Sequence, residues 1–390
     1  MLDDRIIDVL VERLVNRIET VNTYILEKIG ESIKQIGAVS PTKALQLANI
    51  LKYGGNYESI LLELKKLTEL NVEEIEAIFE EVAKENQLFA KQFYDYRKIK
   101  YIPYEKNIAL QNQVKALAKI TQDQYKNFSN TLAFARKDID GKIIYTNLSE
   151  TYQNIIDEAV LSVSQGKDTF QNEMYRVIKE LGNSGIKTVD YASGYARRLD
   201  SAVRMNIKGA LRDMSITLQK QFGEEFGADG IEVSHHENSA PDHIDTVDGK
   251  QFSNEEFEEI NSKLARPVGQ LNCYHYIFPI ILGISKPEYS KEQLKKDKEK
   301  NEKGAVIDGK HYTLYELTQM QRKIETEIRK AKDTQIIGKA SGNKEIVQES
   351  QLKITELTQK YKEISQISGL PTKLERARVS GYKRINVNKM

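Results

Sequence analysis

Apolar side chains in the first third of the chain recur at steps of three and four. Ile6, Leu10, Leu14, Ile18, Val21, Ile25 and Ile29 share one face of a helix, which Gly37 and Ser40-Pro41 end. A second helix closes at Gly54-Gly55. Asn71, with Glu74 three residues on, reads as a capping pair ahead of a new helix with Val72, Ile75, Phe79, Val82 and Phe93. Another periodic stretch runs from about Ile108 to Ala135. Asp140-Gly141 ahead of Lys142-Ile143-Ile144-Tyr145 predicts a hairpin turn. Helical spacing then resumes, with Ile155, Ile156, Ala159, Val160 and Val163 before Gly166, and Phe170, Met174, Val177 and Leu181 before Gly182. A longer helix is expected after Gly194, turning Leu199, Ala202, Val203, Ile207, Ala210, Leu211, Met214 and Leu218 inward.

The pattern changes between about Gly230 and Gly283. Ile231-Glu232-Val233 reads as a strand, Asp248-Gly249 as a hairpin-type turn, and Tyr276-Ile277-Phe278 as a second short apolar run beside Pro279. The highly charged KEQLKKDKEKNEK stretch follows and reads as a solvated, helix-compatible linker. Thr313 and Glu316 form a capping box that opens a helical hairpin. Its first stripe is Leu314, Leu317, Gln321, Ile324, Ile328 and Ala331. Its second, after a break at about Gly338 to Gly342, is Val347, Ser350, Ile354, Leu357, Tyr361 and Ile364. The final stretch carries Arg376, Arg378, Lys383, Arg384 and Lys389, and is expected to be mobile when unbound.

These patterns predict a mainly α protein with a small α+β segment: an extended multi-helix architecture with a C-terminal helical hairpin. They suggest an N-terminal helical docking region over 1–140, a core domain over 141–287 and a charged linker over 288–312. The hairpin then covers 313–369 and a basic tail 370–390.

Composition narrows the function. With 39% hydrophobic and 29% charged residues and a mean hydropathy of −0.55, the chain has material for a core but suits long helices that bury one stripe. A net charge of +1 means that any nucleic-acid contact must come from a local patch. The single cysteine, Cys273, excludes an intrachain disulfide. No apolar run reaches the length of a membrane span. The opening MLDDRIIDVLVERL reads as neither signal nor transit peptide, so the chain is expected to be made for the cytoplasm.

Two constellations carry chemistry. Of the five histidines, His235, His236, His243 and His275 fall in the α+β segment together with Cys273, while His311 lies apart. Imidazole and thiolate are the usual zinc ligands, and the candidate set is His235 or His236 with His243, Cys273 and His275. The spacing is not that of a zinc finger, and a hydrogen-bonded polar cluster or a subunit contact would use the same residues. A catalytic version would need an open coordination position and a base, for which Glu237, Asp242 and Asp245 are near in sequence. No cofactor is required by the sequence; a structural zinc is the one candidate. The second constellation is a basic stripe of Arg197, Arg204, Lys208 and Arg212, opposite the apolar stripe of the same helix and suited to phosphates or an acidic partner. Lys383 and Arg384 in the tail extend it. There is no P-loop, dinucleotide fingerprint, His-Glu-x-x-His or Gly-x-Ser-x-Gly.

From about Tyr145 onward the chain resembles the second phage minor capsid protein family, often grouped with head-morphogenesis proteins such as the F protein of phage Mu. The residues that carry the resemblance begin with Tyr145-Thr146-Asn147-Leu148, Leu181-x-x-Ser184-Gly185-Ile186 and Val189-Asp190-Tyr191-Ala192-Ser193-Gly194. They continue with Ala202-Val203-Arg204, Ser234-His235, Pro241-Asp242-His243, Gly249-Lys250, Asn272-Cys273-x-His275, Phe278-Pro279 and Gly283. The stretch from Tyr315 to Arg322, and Ile328-Arg329-Lys330, match the family's usual ending. Tyr274 stands where an arginine is usual. The resemblance implies a non-enzymatic structural component of a phage head. Its expected partners are the portal protein and other capsid subunits, with packaged DNA as a further contact. A DNA-binding head protein and a zinc-dependent nuclease are the competing readings.

Overall fold

A computed structural model of the chain describes residues 4–137, 140–190, 195–270 and 273–385. Tyr191 to Gly194, Asn272 and Lys389, all used in the sequence reading, lie outside the described residues. Among those described there are twelve α-helices and nine short strands, so the protein is mainly α with a small α+β part. None of the described helices is long and apolar enough to cross a membrane.

The chain divides into two compact units, each assembled from three separate stretches. One comprises Met1–Arg13, Asn71–Gln124 and Val203–Gln319; the other comprises Leu14–Leu70, Tyr125–Ala202 and Met320–Met390.

The apolar stripe of α1 (Asp4–Gly37) is buried as its spacing predicts: Leu10, Leu14, Ile18, Val21, Ile25 and Ile29 are all buried. Helix α2 (Pro41–Tyr53) starts at its proline and stops at Gly54. Helix α3 (Gly55–Arg97) then runs unbroken through Asn71 and Glu74. No helix therefore starts at Asn71, whose backbone lies inside the hydrogen-bonded ladder. Helix α4 (Ile108–Asn130) is shorter than its periodicity suggested, because Leu132 to Ala135 belong to strand β1 (Leu132–Lys137).

In the second unit, β1 pairs antiparallel with β2 (Ile143–Asn147) across the predicted turn. Helices α5 (Leu148–Gln165) and α6 (Lys167–Ser184) follow, then β3 (Lys187–Asp190) and β4 (Tyr195–Arg198), completing a sheet of order β2-β1-β3-β4. Helix α7 (Leu199–Phe226) comes next; from Val203 on it belongs to the first unit, and it buries Val203, Ile207, Leu211, Met214 and Leu218.

The α+β segment of the first unit forms a sheet of order β6-β5-β7, from β5 (Gly230–Val233), β6 (Gln251–Ser253) and β7 (Ile277–Ile280). Helix α8 (Pro241–Ile244) lies in the connection between β5 and β6, so Asp248-Gly249 leads into β6 without being a two-residue hairpin. Helix α9 (Asn254–Lys263) opens on a capping box made by Ser253 and Glu256. Ile231, Val233, Val247, Phe257, Val268 and Ile277 form the core beneath this sheet. The charged stretch folds into α10 (Lys291–Lys303), followed by the β8 (Ala305–Ile307) and β9 (Lys310–Tyr312) hairpin.

Helix α11 (Leu314–Ser341) begins on the predicted capping box: the Thr313 and Glu316 backbone amides donate to each other's side chains at 2.9 and 3.2 Å. Only Gly342 and Asn343 separate it from α12 (Lys344–Ser368). The antiparallel pair is fastened by Gln321 to Ser365 at 2.8 Å and by Tyr361 to Glu325 at 3.0 Å. The last described stretch is docked, contrary to the expected mobile tail. Ala377 and Val379 are buried, Thr23 donates to the Ser380 carbonyl at 2.6 Å, and the Tyr382 hydroxyl donates to Gln351 at 3.0 Å. The sequence counted its cations and missed the two apolar anchors between them.

Candidate metal centre

The sheet of the first unit brings three of the predicted ligands together. His243 stands on α8, whose proline start fixes the entry of the turn, and Cys273 and His275 precede β7 by a few residues. With one residue between them, Cys273 and His275 face the same side. The His243 Nδ1, Cys273 Sγ and His275 Nδ1 atoms all lie within 4.8 Å of one another. Individual separations are 3.2 Å between the two ring nitrogens, 3.2 Å from sulfur to His275 and 3.6 Å from sulfur to His243. All three side chains are buried.

The far sides of both rings are held. His243 Nε2 lies 2.6 Å from the Arg266 carbonyl, which can only accept, so this nitrogen carries the hydrogen. His275 Nε2 lies 2.7 Å from one oxygen of Asp248. Both Nδ1 atoms thus turn toward the thiol. The Ser239 hydroxyl donates to the same Asp248 oxygen at 2.8 Å.

His235 is not part of the converging set. Its Nδ1 meets the other oxygen of Asp248 at 2.6 Å and its Nε2 meets Asp297 of α10 at 3.1 Å. His236 is not part of it either: its ring packs 4.3 Å from that of His275, and its Nδ1 lies 3.4 Å from the Ser239 hydroxyl. The four-ligand set of the sequence reading reduces to three, because His235 points across Asp248 instead of beside it. Asp248 and Asp297 were missed as site residues. In the sequence Asp248 reads only as a turn former, and nothing singles out Asp297 within a stretch of alternating charges. Gly249 permits the turn that aims Asp248: its φ is +66°, and a Cβ there would lie 2.5 Å from Leu294.

Burial opposes charge throughout the cluster, but the partners override it. The His243 and His275 rings bring the Cys273 thiol down to about 5, and Asp248 and Cys273 lift His275 to about 9. Burial pushes His236 down to about 4, leaving it neutral. A thiolate among imidazoles is the donor chemistry of zinc.

The candidate general bases each pair with a cation, and of the three only Asp242 also approaches the cluster, with one oxygen 3.8 Å from His243 Nε2. Asp242 pairs with Arg266 at 2.6 Å, Asp245 with Lys298 at 2.6 Å and Glu237 with Lys300 at 2.7 Å. A cleft of about 150 Å³ in this unit, between Gly223, Ile231 and Pro279, has none of the cluster residues in its lining.

The basic stripe is corrected by the fold. Arg197 lies on β4, before α7 begins, with its guanidinium 4.9 Å from the Tyr195 ring. In the first unit Arg204 pairs with Glu12 and Lys208 with Asp8, both on α1. Arg212 is 1% exposed, with its guanidinium 4.6 Å from the Tyr274 ring. Helix α7 is enclosed on more than its apolar side, so these cations meet carboxylates and a ring of the chain itself. Lys383 and Arg384 do remain exposed.

A helical protein with a His/Cys cluster on a small sheet defines a structural class more than a reaction. Comparison with family models names it: the model for phage minor capsid protein 2 matches residues 2–364, and the chain belongs to that family. Comparison with curated proteins and with solved structures returns no match in either. Membership gives the chain a structural role in a phage capsid, as a component of the virion assembled with other capsid components.

Proposed function

We propose that this capsid role is exercised at the portal or the inner capsid surface, where the chain docks during head assembly and acts without catalysis. The observation that carries the reading is the family match over residues 2–364, joined to a set of bare apolar side chains. Within the second unit Leu45, Ile50 and Tyr53 on α2 and Leu62 on α3 are 62%, 62%, 75% and 55% exposed. Large apolar side chains clustered in so short a stretch favour burial against another protein. The stripes of the long helices are buried within the chain, so the docking area comes from these outward residues. The absence of catalysis in this reading is supported by the burial of the His/Cys cluster and by the pairing of its neighbouring acids. Lys383 and Arg384 are the cations with which the chain would meet packaged DNA.

The test is co-expression with the portal protein of the same phage, followed by affinity purification. The wild-type chain is expected to co-purify at fixed stoichiometry, and Ile50→Lys with Tyr53→Lys to lower recovery at least tenfold while preserving the helical circular dichroism. Equal recovery of both chains, or none of either, would overturn the docking assignment.

A further inference from the structure

We propose that His243, Cys273 and His275 hold one zinc ion through Nδ1, Sγ and Nδ1, and that this ion locks the β5–β7 sheet to the loops and α10 around it. The geometry is the reason. A tetrahedral zinc with nitrogen ligands at about 2.0–2.1 Å and sulfur at about 2.3 Å places its ligand atoms about 3.3–3.6 Å apart along each edge. The separations here are 3.2, 3.2 and 3.6 Å. Hydrogen-bonded side chains rarely aim two imidazole nitrogens and a sulfur at one another, because each pair then needs a proton between lone pairs. A cation at their centre satisfies all three together.

The outer partners fit the same assignment. Ligating histidines ordinarily donate their other N–H to a carboxylate or a backbone carbonyl, which sets the ring and its basicity. Here His275 has the Asp248 carboxylate and His243 has the Arg266 carbonyl. Asp248 is therefore a positioning residue, and its second oxygen passes the hold on to His235 and thence to Asp297 on α10. The fourth corner is left to a water molecule enclosed with the ligands. Three protein ligands and a water are otherwise the pattern of a catalytic zinc, but with the ligands 1–4% exposed a substrate has no route to the ion, and the site is structural.

The experiment uses the full chain, purified from zinc-supplemented cells and freed of loosely held metal. One zinc per chain is expected. In the cobalt-exchanged protein, tetrahedral d–d bands should appear with a thiolate-to-cobalt charge-transfer band. Cys273→Ser, close to isosteric, should lose the charge-transfer band. His311→Gln should keep the stoichiometry, because His311 is exposed on β9, apart from the cluster. Asp248→Asn should weaken zinc affinity about 10–100-fold in a chelator competition. The wild-type cobalt spectrum needs no variant to fold, so it decides alone if a variant does not. Absence of stoichiometric zinc, a cobalt spectrum without the sulfur band, or the same spectrum from Cys273→Ser would each overturn the site.

Discussion

Among the polar clusters that the two units bury, one in each shows a different answer to the problem of buried charge. In the second unit Arg198 reaches Asp333 at 2.9 Å and Asp200 at 3.3 Å, and Arg329 reaches Asp200 at 2.7 Å. Two cations face two anions, and all four side chains are at most 10% exposed. Asn22 adds a hydrogen bond to Asp333 at 3.4 Å. This cluster balances itself. In the first unit, three electron-pair donors converge from a short helix and a strand entry, and their outward-facing atoms are already taken by Asp248 and Arg266. Its centre is a point where three atoms able to offer lone pairs face one another. The lesson is that burial alone does not distinguish a framework from a binding site; the direction in which donors and lone pairs point does.

The largest effect that would break the contrast is in the self-balanced cluster. Arg198→Met leaves Asp333 and Asp200 short of a partner and should cost about 3–5 kcal/mol in urea unfolding of the second unit. A loss under 1 kcal/mol would show that the network is solvated in practice. Next comes zinc itself. At free zinc a hundredfold above its dissociation constant, linkage predicts about 2.7 kcal/mol of added stability. Hydrogen exchange should place it in residues 230–303 and leave 325–335 unchanged. Protection gained equally in both stretches would dissolve the distinction.

A smaller effect tests how the ionic cluster is positioned. Gly182 on α6 lies so close to α11 that a Cβ there would sit 2.5 Å from the Thr334 Cα, next to Asp333. Gly182→Ala should therefore cost about 1–3 kcal/mol by overpacking, read by thermal unfolding. Smallest is Ser253→Ala. It removes the α9 cap at a cost of about 1 kcal/mol and should leave zinc stoichiometry untouched. Loss of metal in that variant would mean that the cluster depends on the whole sheet rather than on its own ligands.

What the sequence made legible was what depends on neighbours a few residues away. The stripes of α1, α7, α11 and α12, the turn at Asp140-Gly141 and the cap at Thr313 are all local patterns, and the structure contains them. Strands β3 and β4, four residues each, were missed because so short a run has no periodicity of its own and becomes a strand only by pairing, β3 with β1 and β4 with β3. The ligand types of the metal centre were visible, since histidine and cysteine are rare here. Its supporting acids were not, because Asp248 and Asp297 are two among 57 carboxylates. The basic stripe failed for a related reason. A helical wheel shows which cations share a face, but not that Asp8 and Glu12, nearly two hundred residues earlier, will cover it.

The docked final segment has a consequence for reach. A cationic tail on a free tether samples a wide volume and raises the effective concentration of its charges near any passing phosphate. Lys383 and Arg384 instead follow Ser380 and Tyr382, which are fastened to α1 and α12, so their backbone is held to a fixed patch. A polyanion must come to that patch in the right orientation, which trades capture radius for geometry. That is the arrangement expected of a part that fits into a shell.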